Sequence, residues 1–531
     1  MNSSLFYQRL AGLGDLAPSG LLSQSLKGLE KESLRVTRQG RIARTPHPQC
    51  LGSALTHPYI TTDYSEALLE FITPPAPVAE TVTAFLDDVH RFVYHCLDED
   101  ELLLVTSMPI GFERDEDIPI ARYGGSNIGR MKHIYRVGLA YRYGRAMQAI
   151  AGVHFNFSVA PELWPRLVRI LRQEQPMPEA KDSAYFALIR NVQRHGWLLL
   201  YLFGASPVAD RRFLQCRGGI PGNFVKLAPD SYGLPHATSL RMSDIGYRNP
   251  IQAGLFISTN SLEEYVASLC RAIETPYPRY QAIGVKVDGR YRQLNANLLQ
   301  IENEYYSPVR PKQITERGEK PTLALKRRGV RYVEIRSVDL NPYLPLGIDS
   351  RQIRFLELFL WHCLLYPSPP LPRHQSRISQ ANLVAVAQQG RDPKLTLQRD
   401  GKAIALRDWA AILFEELESL CPLLDAPLAG TPYRDSLQAQ QRKLANPDLT
   451  PSARILHDLQ REGESFHDFA LRWSESHAAY FRRRPPERER LTWFERLARE
   501  SVQQQKRLEA EERIGFDEFL RRYFSETCKA A

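Results

Sequence analysis

Acidic side chains recur at a two-residue spacing in this sequence. Glu30 and Glu32 flank Lys31 in the segment GLEKESLRV. If this segment is a β-strand, both carboxylates point to the same face, where they repel each other and raise each other's pKa. A divalent cation such as Mg²⁺ would offset that repulsion, because it binds carboxylate oxygens. The alternative is that both face water, and this pair alone does not decide between the two.

A second acidic stretch is ALTHPYITTDYSEALLEFITPP, which contains Asp63, Glu66 and Glu70. Its end predicts a strand over residues 68–73, closed by the double proline. Glu70 has apolar neighbours on both sides there, and an unpaired carboxylate in such surroundings is costly. Glu70 is therefore a stronger candidate for a metal ligand than an exposed glutamate, although an edge position facing water stays open.

Two later segments repeat the pattern. Glu302 and Glu304 lie near the end of YRQLNANLLQIENEYY, which predicts one or two strands with both acids on a shared face. The segment GVRYVEIRSV predicts a strand with Glu334 and Arg336 on one face. An acid and an arginine so placed can hold a metal ion and a phosphate together.

The segment GVHFNFS gives the clearest strand pattern. Its valine and two phenylalanines form an apolar face, and His154, Asn156 and Ser158 form a polar one. Such a strand suits a sheet that covers a core on one side and a site on the other. A lone histidine is more often structural, but beside acids it becomes a metal ligand or a charge partner.

The acids indicate a metal site only when they are considered together. A sheet face that gathers them is electrostatically untenable without cations. Oxygen-rich ligands with little His or Cys indicate Mg²⁺ or Mn²⁺ rather than zinc, and several such ions in one site are typical of phosphoryl transfer. Arg136, Arg241 and Arg336 would complete the charge balance. The acids are Glu30, Glu32, Asp63, Glu70, Glu302, Glu304 and Glu334, with His154 beside them.

A basic and aromatic segment, RYGGSNIGRMKHIYRVGLAYRYGRAMQ, covers residues 122–148. A helix is expected to begin near its GGSN turn. The GGSNIG run lacks the GK[ST] ending of a phosphate-binding Walker loop, so its glycines are read as turn formers. Interleaved arginines and tyrosines could line a pocket for a carboxylate or phosphate; a solvated basic helix face is the equal alternative.

Composition is that of an ordinary globular protein. The 531 residues are 43% hydrophobic and 24% charged, with a net charge of +9. This modest net positive charge suits the binding of anionic small molecules. No zinc-finger spacing or glycine-arginine tract accompanies it, and the mixed-sign run after Arg482 favours a solvated packing layer over a nucleic-acid surface.

The seven cysteines are scattered, odd in number and form no CxxC pair. This pattern argues against a structural zinc site and a secreted disulfide scaffold. No signal peptide is evident at the N-terminus, and the longest apolar runs are too short to span a bilayer. A reducing cytoplasmic location is therefore expected, with no membrane partner.

The chain changes character near residue 350. Strand-like and helical segments alternate before it, whereas helices dominate after it, including one or two long amphipathic helices over 486–524. We therefore expect an α+β fold with a catalytic part over 1–350 and a mainly helical part over 351–531, packed on the same domain. The segment SPVRPK is expected to leave the sheet and expose Arg310 and Lys312.

These segments carry a resemblance to a known family. GLEKESLRV, ALTHPYITTDYSEALLEFIT, YGGSNIGRMKHIYRVGL, GVHFNFS, YLFGASP, LPHATSLRMSDIGY, LQIENEYYSPVRPK and YVEIRSVDLNP occur in this order. The set is similar to the proteobacterial glutamate–cysteine ligases, which belong to the glutamine synthetase-like carboxylate–amine ligases. The resemblance is dense over residues 20–350 and weak beyond.

The resemblance implies a curved, mostly antiparallel sheet that forms a funnel-shaped active site surrounded by helices. It also implies a reaction: ATP phosphorylates the γ-carboxylate of glutamate, and the amine of cysteine attacks the acyl phosphate to give γ-glutamylcysteine. Mg²⁺, with Mn²⁺ as an alternative, would be the cofactor and ATP a co-substrate. Small-molecule substrates, no nucleic acid and a monomer are the expected partners and assembly.

The resemblance also implies site residues. The metal ligands fall on Glu30, Glu32, Asp63, Glu70, His154 and Glu334. Arg336 meets the transferring phosphate as the catalytic and nucleotide-binding arginine. The cysteine pocket falls on Tyr64, Tyr135, Leu139, Gln148, Tyr247 and Tyr306, and the glutamate contacts fall on Asn156 and Arg241.

Tyr64 departs from the family pattern, which has phenylalanine after the aspartate. An extra hydroxyl in the pocket wall could change cysteine affinity or discrimination. Two rival functions remain at this point. One is a ligase that joins glutamate to a different amine; the other is a nucleic-acid-binding protein that uses residues 480–524, which leaves the acids unexplained.

Overall fold

An open antiparallel sheet of seven strands lies at the centre of the computed structural model, which describes residues 2–14, 20–246, 254–316 and 318–526. The strand order is β11-β12-β5-β1-β3-β2, and β4 pairs with the far end of β1. These strands are β1 (Leu26–Thr37), β2 (Ile60–Thr62), β3 (Leu68–Ile72), β4 (Glu101–Leu103), β5 (Val153–Ser158), β11 (Val309–Lys312) and β12 (Tyr332–Val338).

Seven further short strands form three small sheets among the described residues. They are β6 (Val208–Asp210), β7 (Val225–Ala228), β8 (Ser231–Gly233), β9 (Lys286–Val287), β10 (Arg290–Tyr291), β13 (Thr396–Arg399) and β14 (Lys402–Ala405). None of them contributes a residue to the cavity described below.

The alternation of side chains along the central strands divides the sheet into an apolar and a polar face. Leu29, Phe155 and Ile335 are fully buried on the face that packs against helices. In the register, Glu30 lies opposite His154 and Glu32 opposite Glu70. The predicted α+β class, the antiparallel sheet and the shared face of the Glu30–Glu32 pair are thus confirmed.

Helices surround the sheet. The first part of the chain contains α1 (Asn2–Ala11), α2 (Ala79–Cys96), α3 (Asn127–Tyr143), α4 (Trp164–Ile170), α5 (Met177–His195), α6 (Trp197–Phe203), α7 (Arg211–Cys216), α8 (Leu262–Glu274), α9 (Pro278–Ile283) and α10 (Pro321–Arg328). The second part contains α11 (Ser350–Leu365), α12 (Arg373–Gln389), α13 (Leu406–Asp425), α14 (Pro432–Ala445), α15 (Pro451–Glu462), α16 (Phe466–Arg482), α17 (Arg488–Ala510) and α18 (Phe516–Ser525).

Helix α3 begins where the glycine turn predicted it. The Ser126 hydroxyl caps the helix by accepting a hydrogen bond from the backbone N–H of Gly129. Tyr123 precedes the helix, and its hydroxyl donates to the backbone carbonyl of Thr62 on β2. This contact and the ring of Tyr123 under Arg136 hold the helix over the polar face of the sheet.

The basic run after α16 is bound to the rest of the protein. Arg482 donates to the backbone carbonyls of Asp98 and Glu99, and Arg484 pairs with Asp87 on α2. Arg490 pairs with Asp88 at 2.7 Å. These guanidinium groups anchor α16 and α17 to α2 and act as packing residues.

Two sequence predictions about local structure are wrong. Residues 291–306 form no long strand, and Glu302 and Glu304 lie on a short 3₁₀ helix. The Glu302 carboxylate accepts a hydrogen bond from the Thr322 hydroxyl, and Glu304 forms an ion pair with Arg142. Lys312 is not exposed on a loop but lies on edge strand β11, 3.3 Å from Glu334, and Arg310 on the same strand is buried. Local pattern did not reveal these partners, because they lie far away along the chain.

A disulfide joins Cys50 to Cys96 at the end of α2, with the Cα atoms 5.6 Å apart. The expectation of a reducing environment does not favour such a bond, and 46 residues separate the two cysteines. Among the described residues, no helix has the length and apolar character needed to cross a bilayer.

Candidate active site

A cavity of about 410 Å³ lies between the polar face of the sheet and helix α3. Most of the residues expected in a site line it. Glu30, Asp63, Tyr64, Glu70, Tyr135, Leu139, Gln148, His154, Tyr306, Glu334 and Arg336 all contribute to its wall. They come from strands β1, β3, β5 and β12, from helix α3 and from three connecting segments, which the fold brings together.

Three metal-ligating side chains converge at the centre of this cavity. Ligand atoms of Glu30, His154 and Glu334 all lie within 4.8 Å of one another. His154 Nδ1 is 3.2 Å from Glu30 Oε2 and 3.8 Å from Glu334 Oε1. Neighbouring strands β1, β5 and β12 supply these three groups, and the register of the sheet fixes their spacing.

Glu32 lies on the inner side of this cluster and is almost fully buried. Its Oε1 is 3.6 Å from His154 Nε2, and its Oε2 accepts a 2.6 Å hydrogen bond from the backbone N–H of Gly152. A Cβ atom at position 152 would collide with the guanidinium of Arg241, so glycine allows Arg241 to lie against the backbone here. One oxygen of Glu32 thus faces the cluster while the other is held by the backbone.

Cationic side chains compensate only part of the negative charge. Arg336 NH1 is 3.1 Å from Glu334, and Lys312 Nζ lies on the other side of the same carboxylate. Burial raises the pKa of Glu334, but these two cations outweigh it and hold the pKa well below its usual range. Burial next to Arg136 lowers the pKa of Lys132, on α3 across the cavity, to about 8.

Two other carboxyl groups show raised pKa values instead. Burial, together with the neighbouring Asp63, raises the pKa of Glu32 to about 8. Burial and the charge of Glu30 raise the pKa of Glu70 well above its usual range. Without a bound cation, the protonated forms of these groups are therefore favoured. The carboxylate oxygens of Glu334 are also buried, and no described residue gives them a hydrogen bond of normal geometry besides the ion pairs described above, so the site fits divalent cations with oxygen ligands.

One end of the cavity is aromatic. Gln148 donates a 2.8 Å hydrogen bond to the hydroxyl of Tyr306, and the side chains of Tyr135 and Leu139 lie beside them. Tyr64 is 1% exposed, and its hydroxyl has no hydrogen-bond partner in the described part of the chain. An orphaned hydroxyl that faces a cavity is a ready contact for a bound molecule.

The two expected glutamate contacts, Asn156 and Arg241, do not line the cavity. Asn156 stands behind the acids and donates a 2.8 Å hydrogen bond to Glu30 Oε1. Arg241 is buried below Arg336, donates to its backbone carbonyl at 2.7 Å and lies 3.7 Å from Asp339. Both therefore position other residues of the site in this structure. Tyr247 falls outside the described residues.

The other end of the cavity includes a residue from the end of the chain. Tyr523 on α18 lines it together with Ile128 and Met131 of α3. The Lys320 ammonium lies 4.9 Å from the Tyr523 ring centre, and Phe516 packs with Met131. Nothing in the local sequence around Tyr523 indicates this role, and the same is true of Lys312; only the fold places them in the wall.

The match to known relatives covers 98% of the chain. The model of the family "Glutamate-cysteine ligase" matches residues 10–386. Relatives named glutamate–cysteine ligase include one from Azotobacter vinelandii, 51% identical over 98% of this chain and 98% of that protein. Another, from Pseudomonas putida, is 50% identical over 98% of both chains.

Two solved structures share the fold. The glutamate–cysteine ligase of Francisella tularensis in complex with AMP has a TM-score of 0.89 and 37% identity, over 94% of this chain and 98% of that one. A bifunctional glutathione synthetase from Pasteurella multocida has a TM-score of 0.71 and 26% identity; the match covers 92% of this chain and 58% of that one.

Proposed function

Because the chain belongs to the glutamate–cysteine ligase family, we propose that the cavity described above is the site where it joins glutamate to cysteine. The enzyme is an ATP-dependent ligase that forms γ-glutamylcysteine, the first step of glutathione synthesis. The observation that supports the location is the cluster of Glu30, His154 and Glu334 with Arg336 at 3.1 Å from Glu334, in one cavity. No other group of this composition occurs in the described residues.

Mg²⁺, or Mn²⁺ in its place, is the proposed cofactor. Glu30, Glu32, Asp63, Glu70, His154 and Glu334 would hold it. When bound, the metal neutralises the phosphates of ATP and the charge that develops on the transferred group. The raised pKa values of Glu32 and Glu70 support this assignment, because burial and neighbouring acids disfavour the charged forms of both groups in the metal-free protein.

The reaction then needs no nucleophile from the protein. An oxygen of the glutamate γ-carboxylate attacks the terminal phosphorus of ATP and ADP leaves. The amine of cysteine next attacks the acyl carbon, loses a proton and expels phosphate. Arg336 points its guanidinium to the transferred group, held by Glu334, and its donors stabilise the negative charge that builds up there. The enclosing walls keep water from the acyl phosphate.

The acceptor amine is proposed to bind at the aromatic end of the cavity, against Tyr64, Tyr135 and Tyr306. We expect Tyr64→Phe to weaken cysteine binding by about 1.5 kcal/mol, or roughly 10-fold in KM, because the substrate satisfies its unpaired hydroxyl. The free enzyme should become about 1 kcal/mol more stable, since a buried unsatisfied group is removed. Steady-state kinetics and urea unfolding measure both effects; an unchanged KM for cysteine would contradict the contact.

The opposite end is proposed to hold the nucleotide base. Ile128 lines this end of the cavity and Leu139 the aromatic end. The two are eleven residues apart on α3, about 16 Å along the axis, which leaves room for two separate subsites with the acids between them. We expect Tyr523→Ala to raise the KM for ATP roughly 10-fold through lost stacking, with little change for cysteine. Tyr523→Phe, which keeps the ring, is the control; equal effects on both substrates would argue against this division.

The decisive assay measures phosphate release with ATP and glutamate and identifies the product by mass. Cysteine, 2-aminobutyrate and a larger amine serve as acceptors. Fastest turnover with cysteine and a mass equal to γ-glutamylcysteine are expected. Preference for another amine would instead support the runner-up, a ligase that uses glutamate with a different acceptor.

Some features stay predictions. The chain is expected to act as a monomer in the cytoplasm, where its substrates ATP, glutamate and cysteine are found. The boundary at residue 350 also stays a prediction. Helix α11 packs on β5 across that boundary, and Tyr523 reaches the cavity from α18; the helical part is thus proposed to complete the site.

A further inference from the structure

A second cluster of metal-ligating side chains lies in the helical core, away from the cavity. It consists of His195 at the end of α5 and of His362 and Cys363 on α11. All three are buried, and one ligand atom of each lies within 4.8 Å of the other two. None of them lines the cavity of the proposed reaction.

The hydrogen bonds around the two imidazoles leave ligand atoms free. His362 Nε2 is 2.7 Å from Glu416 Oε2, a carboxylate on α13 that can only accept. In the neutral imidazole, the proton therefore sits on Nε2 and Nδ1 keeps its lone pair. Nδ1 of His362 and Nδ1 of His195 are both buried without a hydrogen-bond partner in the described part of the chain.

A carboxylate bonded to the far nitrogen of a histidine is the usual support of a metal ligand, because it fixes the tautomer and the ring orientation. Glu416 is itself held, since its Oε1 accepts a 3.0 Å hydrogen bond from Ser3. The rings of Phe6 and Trp409 pack around the two histidines and exclude water. A buried polar group with no partner in such an apolar shell is unfavourable.

We propose that His195, His362 and Cys363 form a zinc site that joins α5 to α11. Two imidazole nitrogens and one thiolate are the ligand set that zinc prefers, whereas Mg²⁺ prefers oxygen. Ligand atoms on one zinc ion stand about 3.5 Å apart, so small side-chain rotations from the present spacing close the site. Binding displaces the proton of the Cys363 thiol, and Glu416 acts as a positioning residue through His362.

The test is a titration of the full-length, chelator-treated protein with Co²⁺ and then Zn²⁺, in excess Mg²⁺. Co²⁺ bound to a thiolate gives a near-ultraviolet charge-transfer band, which the oxygen-rich cavity cannot give. We expect one equivalent of Co²⁺ to produce this band and one equivalent of Zn²⁺ to remove it. A wild-type protein without the band overturns the proposal, whatever the variants show.

Variants locate the metal. Cys363→Ala should abolish the band, whereas Cys421→Ala, at a buried cysteine on α13 outside the cluster, should keep it. Glu416→Gln should weaken Zn²⁺ binding about 10- to 100-fold, since it loses the charge that supports His362. A band that survives Cys363→Ala, or Zn²⁺ affinity unchanged by Glu416→Gln, contradicts the site.

Discussion

Arg336→Lys should lower kcat about 100- to 1000-fold, the usual cost of losing one preorganised donor to a developing charge. Arg336 is placed by Glu334 at 3.1 Å and by strand β12, whose register puts both on the polar face. Lysine keeps the charge but cannot present two parallel N–H groups. The KM values for glutamate and cysteine should change little, because the lost contact forms mainly in the transition state.

Phosphate release at saturating substrates measures this effect. Arg472→Lys is the matched control, because Arg472 forms an ion pair with Glu464 at the surface; it should have wild-type kinetics. Equal losses in kcat and in the binding of all substrates would mean that Arg336 acts in ground-state binding and not on the transferred phosphoryl group.

Glu32→Gln should abolish phosphate release at ordinary Mg²⁺ concentrations while the fold stays intact. Glutamine has the shape of the protonated carboxyl group, which is the form that the raised pKa of Glu32 indicates for the metal-free protein near neutral pH. The hydrogen bond from Gly152 is kept by the amide oxygen. What is lost is the negative charge that a metal ion needs, so activity should return only partly at very high Mg²⁺ or Mn²⁺.

Unfolding measurements distinguish this loss of activity from a loss of the fold. The pKa of Glu32 in the folded protein is raised above its ordinary value, so ionisation of Glu32 destabilises the metal-free fold as pH rises toward 8. Glu32→Gln removes this contribution and should make unfolding less dependent on pH. Glu357→Gln, at a buried acid paired with Lys27 outside the cavity, should instead lose stability and keep turnover. Near-normal activity of Glu32→Gln would refute its role as a ligand.

The sequence predicted well those structural features that depend on residues close together along the chain. The two-residue alternation in β1 and β5 placed Glu30, Glu32 and His154 correctly, because a strand buried on one face has little freedom to slip its register. The same reasoning failed for Glu302 and Glu304. Their two-residue spacing looked the same, but their partners, Thr322 and Arg142, lie 20 and 162 residues away from them along the chain.

Residues that complete the site from a distance could not be predicted. Lys312 pairs with Glu334 only because β11 and β12 are neighbours, and Tyr523 reaches the cavity only because α18 packs on α3. The same holds for the Cys50–Cys96 bond. Such contacts depend on tertiary packing, which no local pattern encodes. Resemblance to a family supplied the residues that we propose for the acceptor pocket.

The central claim is that the clustered acids bind divalent cations that in turn hold the phosphates of ATP. Calorimetry with a non-hydrolysable ATP analogue, in the presence of Mn²⁺ and after its removal by a chelator, tests it most directly. We predict tight binding that requires Mn²⁺ and that Glu32→Gln weakens at least 10-fold. Equal affinity of the analogue with and without metal, or in the wild type and the variant, would contradict the claim.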